Sequence, residues 1–304
     1  MNTKRLWIAN YGGEILIFDV VSGNRISVLH LSNSLQYKQN ECKDDSELSL
    51  ETFSVYADPI SSPGNHSLYF VTTKGLLGCI HAKNMTFLWV YQLHSPIFST
   101  PLIYYTAKDL ANSIHNIIIA SVDGSIKCFS THNNSNSNSN SNSDNFKGSV
   151  LTDTERSNDS VISLRWKNSY QSRPFFSSPC LISYKDSQYI LIGSHDGKLR
   201  CLHANTGVLL WQQDFGSIIY SSPCCFYHVS HPNILHVLFA TTGGNIHLVS
   251  DLFGHLSSGD KLQSCRNVST VTSSGEIYSS PVMGYSNGSV YIGCRNDTLI
   301  KLNF

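Results

Sequence analysis

One short segment recurs along the chain and restricts its fold more than any other feature: an aromatic residue, two small hydroxyl residues and a proline. It stands as IFSTP at 97–101, FFSSP at 175–179 and IYSSP at 219–223 and 277–281, with a degenerate copy, VYADP, at 55–59. The five prolines are separated by 42, 78, 44 and 58 residues, so the repeating unit is 42–44 residues long. That is the length of a four-stranded β-propeller blade, and we therefore expect an all-β propeller.

A glycine-rich turn recurs between these prolines. Pairs such as Asp-Gly and Gly-Gly precede a short apolar stretch, as in DGKLRCL from Asp196 and GGNIHLV from Gly243. Such pairs favour hairpin turns with a positive backbone φ angle. In the three middle copies a cysteine follows the glycine by four residues, at Cys79, Cys128 and Cys201. Because a ligand or nucleophile is not needed in every repeat, these cysteines are predicted to be small core residues.

The recurring segment and a recurring tryptophan are both predicted to be structural. Trp89, Trp166 and Trp211 fall late in their repeats, and in HANTGVLLW (203–211) a Thr-Gly turn is expected to let Trp211 reach over a neighbouring blade. The proline-bearing segment is predicted to lie on the first strand of each blade, beside the central axis, where a missing N–H is tolerated. Its small residues would let blades converge and its aromatic residue would fill the space between sheets, so its serines are not expected to be nucleophiles.

Polar insertions interrupt the repeats at about 32–52, 130–160 and 254–274. The second contains the tract THNNSNSNSNSNSDN, which is too polar and too simple to pack and is predicted to be disordered. We otherwise expect a single β-propeller domain over residues 1–304, with about six four-stranded repeats. The first repeat lacks the proline-bearing strand and the last stops after its third strand, so the ring is expected to be incomplete at its N-terminus.

Composition excludes several function classes. Basic and acidic residues number 21 each, so no electrostatic footprint for nucleic acid or for an anionic membrane is evident. No apolar run reaches 18 residues, and the apolar stretch after the first residues is cut by Gly12, Gly13 and Glu14, so neither a membrane span nor a signal peptide is predicted. The nine cysteines are odd in number and scattered, which is unlike a disulfide scaffold. A cytoplasmic location is therefore expected.

The repeats resemble a known superfamily. The segments that carry the likeness are PIFSTP (96–101), SVDGSIKCF (121–129), FFSSPC (175–180), IGSHDGKLRC (192–201) and IYSSPV with VYIGCRND (within 277–297). They resemble the pyrroloquinoline-quinone (PQQ) type repeat of quinoprotein-like β-propellers. Within that superfamily they are most similar to the C-terminal propeller of the beta-alanine-activating enzymes, which belong to the acyl-CoA synthetase family.

This resemblance implies a modular protein. In that family an adenylate-forming domain and a phosphopantetheine carrier domain precede the propeller, and together they activate an amino acid with ATP and hold it as a thioester. Neither an adenylation signature nor a carrier-domain serine motif is present in this sequence. The resemblance therefore implies a C-terminal fragment or a short isoform, which would not perform the ligase reaction alone.

Cys224-Cys225 is the strongest candidate for cofactor chemistry. Some quinoprotein dehydrogenases resemble this fold and stack PQQ against a disulfide between adjacent cysteines. Those enzymes also need a calcium site and a catalytic aspartate, and no such assembly is evident in the sequence. The simpler interpretation is that both cysteines are small core residues after Pro223, as Cys180 is after Pro179. PQQ and calcium are therefore not expected.

Histidines suggest two further sites, both of which have simpler explanations. A zinc site could draw on the histidine cluster of the later repeats, but its members fall on separate strands and loops: His228, His231, His236, His247 and His255. A Ser/His/Asp triad could be drawn around His195-Asp196, but Asp196 occupies the same turn position as Asp123 and is explained as a hairpin former. No glycine-flanked nucleophile or phosphate-binding loop is present.

The sequence thus predicts a non-catalytic repeat scaffold, without catalytic, cofactor-binding or metal-binding residues. It would be the C-terminal part of an amino-acid-activating protein and would bind a partner protein or the phosphopantetheine carrier domain. The enzyme-class alternative is a PQQ-dependent dehydrogenase. A free-standing assembly scaffold, like the propellers of outer-membrane machinery, is disfavoured because no leader is predicted.

Overall fold

The chain folds as antiparallel β-sheets and divides into two compact units. A computed structural model describes residues 5–31, 53–62, 67–106, 109, 114–132, 150–151, 162–171, 173–228, 231–250, 252–253, 268–284 and 288–303. The first unit comprises Met1–Ile119 with Phe129–Leu164, and the second comprises Ala120–Cys128 with Arg165–Phe304. Within the described residues, no helix is long and apolar enough to cross a membrane.

The first two sheets lie in the first unit. Sheet 1 has the order β1-β2-β3, with β1 (Arg5–Ala9), β2 (Glu14–Asp19) and β3 (Arg25–His30). Sheet 2 has the order β11-β7-β6-β5-β4, with β4 (Ile60–Ser61), β5 (Ser67–Val71), β6 (Leu76–His81), β7 (Thr86–Gln92) and β11 (Val150–Leu151). The short β11 pairs with β7 in parallel and adds a fifth strand at the outer edge of sheet 2.

Sheet 3 is four-stranded, and the division between the two units passes through it. Its order is β12-β10-β9-β8, with β8 (Leu102–Tyr104), β9 (Ile114–Ala120), β10 (Ser125–His132) and β12 (Ile162–Ser169).

The last three sheets lie in the second unit and follow one pattern. Sheet 4 runs β13 (Cys180–Tyr184), β14 (Ser187–Gly193), β15 (Lys198–His203) and β16 (Leu209–Asp214). Sheet 5 runs β17 (Cys224–His228), β18 (His231–Ala240), β19 (Asn245–Ser250) and β20 (Val268–Thr272). Sheet 6 runs β21 (Val282–Met283), β22 (Ser289–Gly293) and β23 (Leu299–Asn303). In each of them strands that are consecutive in the chain are neighbours in the sheet.

The predicted glycine turns are present, with one refinement. The glycine has a positive φ at each turn described, from 75° to 81°: Gly13, Gly75, Gly124, Gly197 and Gly244. Each donates its N–H to the carbonyl three residues earlier, as Gly197 does to Ser194 over 3.1 Å. Only the second residue of each pair has a positive φ, so the turn is a type I turn closed by a left-handed residue. In the last sheet Asp297 takes the same conformation, with φ of 61°.

Strand alternation places core residues on both faces of the middle strands. In β18 of sheet 5, Val237 and Phe239 belong to the core cluster shared with sheet 4, whereas Leu238 and Ala240 belong to the cluster shared with sheet 6. Successive side chains of a strand point to opposite faces, so a strand buried on both faces must be apolar throughout. Sheets 4, 5 and 6 therefore pack face to face, with a continuous core on each side of sheet 5.

The proline-bearing segments lie directly before the first strand of their sheets, so the prediction that they lie on that strand was wrong. Pro179 immediately precedes β13, and Pro223 immediately precedes β17. The reason is local hydrogen bonding. Proline has no N–H to donate, and the backbone N–H groups of the segment bond to turns and serine hydroxyls, as those of Ile219 and Ser178 do. The segment is therefore a connector that fixes one sheet to the next.

The connector before β17 is hydrogen-bonded to two consecutive sheets. The N–H of Ile219 donates to Ser194 in the turn of sheet 4 over 3.1 Å, and the carbonyl of Ile218 accepts from Thr242 in the turn of sheet 5 over 2.9 Å. The hydroxyls extend this pattern, because the N–H of Ser178 donates to the Ser222 hydroxyl over 2.9 Å. Ser222 in turn donates its N–H to the equivalent hydroxyl of Ser280, also over 2.9 Å. These serines therefore serve the backbone.

The recurring cysteines and tryptophans lie mostly in the core. Cys79, Cys128 and Cys201 are at most 1% exposed, as expected for small core residues. Trp211 belongs to the cluster between sheets 4 and 5, which agrees with its predicted contact with a neighbouring sheet. Trp166 is only half-buried, and its indole N–H donates to the carbonyl of Ala204 over 2.9 Å. That bond holds β12 against the turn that ends β15.

The predicted insertions need correction at two places. The stretch 254–274 was predicted to be loop-like throughout, but its last part forms β20, the outermost strand of sheet 5. The stretch 130–160 contains the end of β10 and the short β11. Every residue of β20 is exposed, so it carries no apolar pattern from which a strand could be predicted. The stretch 32–52 and most of the Asn/Ser tract lie outside the described residues.

Candidate binding surface

The connectors and glycine turns of sheets 4, 5 and 6 lie at the same end of the strands, here called the turn edge. This follows from antiparallel topology. The first strand begins at the end of the sheet where a turn joins the second strand to the third. The backbone bond from Thr242 to Ile218 joins a turn and a connector directly. The turn edge is thus the place where side chains of consecutive connectors can meet.

Three aromatic side chains form a row along the turn edge. They are the second residues of consecutive connectors, Phe176, Tyr220 and Tyr278, here called the aromatic row. Ring centroids of neighbours in the row are 5.0 Å apart in both steps, with tilted planes. The first residue of each connector is fully buried, as Ile219 and Ile277 are, so the alternating aromatic residue points away from the core. Tyr278 remains 39% exposed.

His195 is packed into this row. Its ring stacks on Phe176 at a centroid distance of 4.8 Å and meets Tyr220 edge-on at 4.6 Å. Burial lowers the pKa of His195 below its ordinary value, which favours the neutral ring. Its Nε2 atom is shielded from solvent and has no hydrogen-bond partner among the described residues. The imidazole is therefore a packed member of the row, with its Nε2 enclosed beneath the surface.

An open cleft of about 390 Å³ lies beside the row. Its lining combines the turn of sheet 4 with the connector and turn of sheet 5, and includes Arg173, His195, Asp196, Ser217, Ile218 and Thr242. Arg173 is exposed, so its guanidinium is accessible at the rim of the cleft. The cleft has the size of small-molecule sites and offers a cationic group and two hydroxyls. We name it the turn-edge cleft.

A buried ion pair supports the floor of the cleft. Arg200 is 3% exposed and bonds Asp196 through both of its terminal nitrogens. The guanidinium also donates to the Ser194 hydroxyl and lies over the Tyr170 ring, with 4.5 Å to the centroid. Burial raises the pKa of Asp196, but bonds from Arg200 and Ser194 outweigh it, and the net pKa lies below its usual value. The carboxylate is therefore charged and positions Arg200 and the turn.

The other end of the row carries a second arginine. Arg295 lies over the Tyr278 ring at 4.8 Å and approaches Glu276 at 3.4 Å. Both members of this ion pair are exposed, and an exposed pair of this kind contributes little to stability. Arg295 is thus free to exchange Glu276 for an anionic group on a partner. The surface as a whole presents a row of tilted aromatic rings between two accessible guanidinium groups.

The structure separates the residues of the hypothetical zinc and triad sites. His236 pairs in register with Ser250, whereas His247 pairs with Phe239, and these positions lie on opposite faces of sheet 5. The side chains of His228, His231 and His255 lie outside the described set. Among the residues described, no three His, Cys, Asp or Glu side chains are grouped to hold a metal ion. In the turn of sheet 4, both carboxylate oxygens of Asp196 already accept hydrogen bonds, one from Ser194 and one from Arg200.

The adjacent cysteines also point apart. Cys225 pairs with Val237 and belongs to the side that faces sheet 4, whereas Cys224 pairs with Leu238 on the side that faces sheet 6. The sulfur nearest to Cys225 is that of Cys180 in β13, at 3.1 Å. Sequence reasoning missed this pair, because it considered the two cysteines that are adjacent in the chain.

No family model matches the chain. Over 257 residues it is 23% identical to the beta-alanine-activating enzyme of Drosophila melanogaster. The matched region covers 82% of this chain and 21% of that protein. It is 29% identical over 126 residues to the human beta-alanine-activating enzyme, covering 41% of this chain and 10% of the human protein. The chain thus spans about a fifth or less of the relatives it matches. The similarity to this enzyme is distant but extends along most of the chain.

Solved structures show the fold. BamB from Moraxella catarrhalis superposes with a TM-score of 0.57 at 13% identity, covering 100% of this chain and 72% of that one. The C-terminal WD40 domain of Sif2 gives a TM-score of 0.58 at 13% identity, covering 99% of this chain and 66% of that one. BBS1N, solved in complex with ARL6DN, gives a TM-score of 0.59 at 9% identity, covering 99% of this chain and 75% of that one. The predicted all-β fold of the β-propeller, WD40-like kind is confirmed.

Proposed function

We propose that the chain is a non-catalytic binding module built from PQQ-type repeats. It would serve as the propeller portion of a protein similar to the beta-alanine-activating enzymes. The observation that carries this proposal is the aromatic row, with an accessible arginine near each end. Aromatic and arginine side chains are the residue types enriched where proteins bind partners.

The lack of a catalytic role is part of the proposal, and the geometry supports it. Several connector serines bond the backbone, as Ser222 accepts the N–H of Ser178 and Ser177 accepts that of Gly193. The Ser221 hydroxyl is buried and has no partner among the described residues. The turn carboxylate of Asp196 is held by Arg200 and Ser194 and has no spare role as a base. A general base must lie within hydrogen-bond reach of its proton donor, and this carboxylate meets only its structural partners.

The partner that best fits the surface is a phosphopantetheine carrier domain, which the resemblance to the beta-alanine-activating enzymes implies. Its prosthetic arm is a phosphodiester followed by a slender amide chain. Arginine binds phosphate through charge-assisted hydrogen bonds, so Arg173 at the rim of the turn-edge cleft would hold the phosphodiester. Hydroxyls of Ser217 and Thr242 would meet the amide groups. BBS1N, whose structure was solved in a complex with ARL6DN, has a similar fold.

A binding experiment with matched variants tests this proposal. The chain is immobilised and titrated with a separately expressed carrier domain, once with its phosphopantetheine arm and once without it. We expect the armed form to bind at least tenfold more tightly than the bare form. Arg173→Ala and Tyr278→Ala should each weaken binding at least fivefold, because one removes the anion contact and the other a stacking surface.

Charge-matched and fold-matched controls sharpen the result. Arg25→Ala removes an exposed arginine of β3 in the first unit and should leave affinity unchanged. The Sif2 WD40 domain serves as a propeller of similar fold with a different surface. If the armed carrier domain binds both propellers equally, or binds neither, the carrier-domain proposal is wrong.

We also propose that the chain works without PQQ or calcium, in a reducing, cytoplasmic setting. The cysteines of the described residues are free thiols, and Cys224 and Cys225 face opposite sides of β17. A vicinal disulfide that could support a stacked quinone would need both sulfurs on one side. Addition of PQQ with calcium should leave the quinone absorption spectrum unchanged and produce no dye reduction with alcohol substrates. A shifted spectrum with dye reduction would instead establish the dehydrogenase alternative.

A further inference from the structure

Two thiols on consecutive sheets lie in contact just after the connectors that carry Phe176 and Tyr220. Cys180 is the first residue of β13, and Cys225 is the second residue of β17. Their Sγ atoms are 3.1 Å apart, closer than the ordinary contact distance of two sulfur atoms. Both side chains pack against the core cluster between sheets 4 and 5. Strand alternation turns Cys224 away from this cluster, so the pair is specific to one of the two adjacent cysteines.

The two thiols share one hydrogen bond and form a coupled pair. That bond lowers the pKa of Cys180 despite its burial, with a further contribution from the Cys225 backbone. The same bond and burial raise the pKa of Cys225. Burial also raises the pKa of Cys224, to about 11. Because the thiolate is the nucleophile, we assign the first step to Cys180. Both Cys180 and Cys225 are partly exposed, which gives a small oxidant access to the pair.

We propose that Cys180 and Cys225 form a peroxide-reactive site that closes a disulfide between sheets 4 and 5. In the first step the Cys180 thiolate attacks hydrogen peroxide. An S–O bond forms, the O–O bond breaks, and hydroxide leaves and takes up a proton as water. In the second step the Cys225 sulfur attacks the sulfenic sulfur of Cys180. The S–S bond forms, the S–O bond breaks, and the departing hydroxide takes the Cys225 proton. Two thiols and one peroxide thus yield one disulfide and two waters.

The geometry requires only a small movement. A disulfide has an S–S length of about 2.05 Å, so the sulfurs must approach by about 1 Å. The bond would join residues 45 apart in sequence. It would also tie together the two connectors that carry Phe176 and Tyr220, because each cysteine follows its connector by one or two residues. Oxidation would therefore fix the spacing of two members of the aromatic row.

The test treats the full chain with hydrogen peroxide, blocks the remaining thiols and digests without reduction. Tandem mass spectra that separate Cys224 from Cys225 identify the linked residues. We expect a Cys180–Cys225 peptide that is lighter by two hydrogens and disappears after reduction. The oxidised chain should also unfold at a temperature several degrees higher than the reduced chain, since a long loop is closed. A peptide linked through Cys224, or no linked peptide when Cys180 is oxidised, would overturn the proposal.

Variants separate the role of Cys180, which reacts with peroxide, from the role of Cys225, which closes the disulfide. Cys224→Ser should still form the link at the wild-type rate. Cys225→Ser should stop at the sulfenic acid of Cys180, which dimedone captures, and should give no link. Circular dichroism of each reduced variant checks folding. If Cys225→Ser does not fold, the wild-type peptide map alone decides the question, because it names the residues that are joined. Equal dimedone capture at Cys180 in the wild type and in folded Cys225→Ser would show that Cys225 does not resolve the sulfenic acid.

Discussion

Replacing Gly193 with alanine is expected to disturb the joint between sheets 4 and 5. Gly193 is the last residue of β14, and a Cβ atom placed on it would lie 2.7 Å from the Ile219 Cβ and still closer to its Cγ2. Ile219 is fully buried, so its side chain has no open space into which to move. Inserting a methylene into such a core costs about 1–3 kcal/mol. We therefore expect Gly193→Ala to lower the free energy of unfolding by about 2 kcal/mol.

A double-mutant cycle tests the cause of that loss. Ile219→Ala alone should cost about 2–5 kcal/mol, because it leaves a cavity at a fully buried position. In the double variant the new methyl at 193 occupies part of the space that Ile219 leaves. The two losses should therefore sum to more than the loss in the double variant, by about 1–2 kcal/mol. Urea unfolding, monitored by circular dichroism, gives the free energy of unfolding of the wild type, the two single variants and the double variant.

The chain supplies its own control. Gly293 occupies the equivalent position at the end of β22, and a Cβ atom there would meet nothing closer than 3.7 Å. Gly293→Ala should therefore leave the unfolding curve within about 0.5 kcal/mol of the wild type. The reasoning is refuted if Gly193→Ala behaves like Gly293→Ala, or if the losses at 193 and 219 are strictly additive.

Three further substitutions test other parts of the second unit. Ser222→Ala removes the acceptor for the Ser178 N–H and should cost about 1 kcal/mol in a thermal melt. Arg200→Leu leaves the Asp196 carboxylate without its ion-pair partner and should cost about 3–5 kcal/mol in urea unfolding. Burial lowers the pKa of His247 from 6.5 to about 4, so stability that depends on its neutral ring is complete above pH 6.5 and is lost as the pH falls toward 4. His247→Gln should flatten that part of a pH series of melting temperatures.

Each of these outcomes has a matched check. Ser163→Ala, at an exposed position of β12, and Arg25→Leu, at an exposed position of β3, should change stability by less than about 0.5 kcal/mol. Losses as large in these controls as at Ser222 and Arg200 would contradict the assigned bonds. A pH series with the same slope in His247→Gln as in the wild type would show that burial does not lower the pKa of this ring in the folded chain.

The repeat pattern predicted the sheets but not the exact place of its own marker. The spacing of the prolines and glycine turns gives the number of residues in each repeat, from which four-stranded sheets are predicted. Among the described residues, sheets 3, 4 and 5 have four strands, whereas sheets 1 and 6 have three and sheet 2 has five. It does not show whether Pro223 ends a connector or lies on a strand, since both allow a missing N–H. The decision comes from hydrogen bonds such as that from Ile219 to Ser194, which join residues in different repeats.

Two other features were hidden from the sequence for different reasons. β20 is exposed along its length, so its residues show no burial-driven pattern. The pairing of Cys180 with Cys225 depends on which face of β17 each cysteine takes, and this is set by the register of β17 with β18. His195 illustrates a third case. Its residue type suggested a triad, but its neighbours in space, Phe176 and Tyr220, come from two different connectors.

Hydrogen–deuterium exchange with and without the armed carrier domain tests the proposed binding surface most directly. Addition of the carrier domain should slow exchange in the connectors and turns of sheets 4 to 6, namely residues 173–178, 194–197, 216–222, 242–244 and 275–280. Amides of sheet 1 should exchange at the same rate in both states. Protection confined to other parts of the chain, or none at saturating carrier domain, would contradict the account.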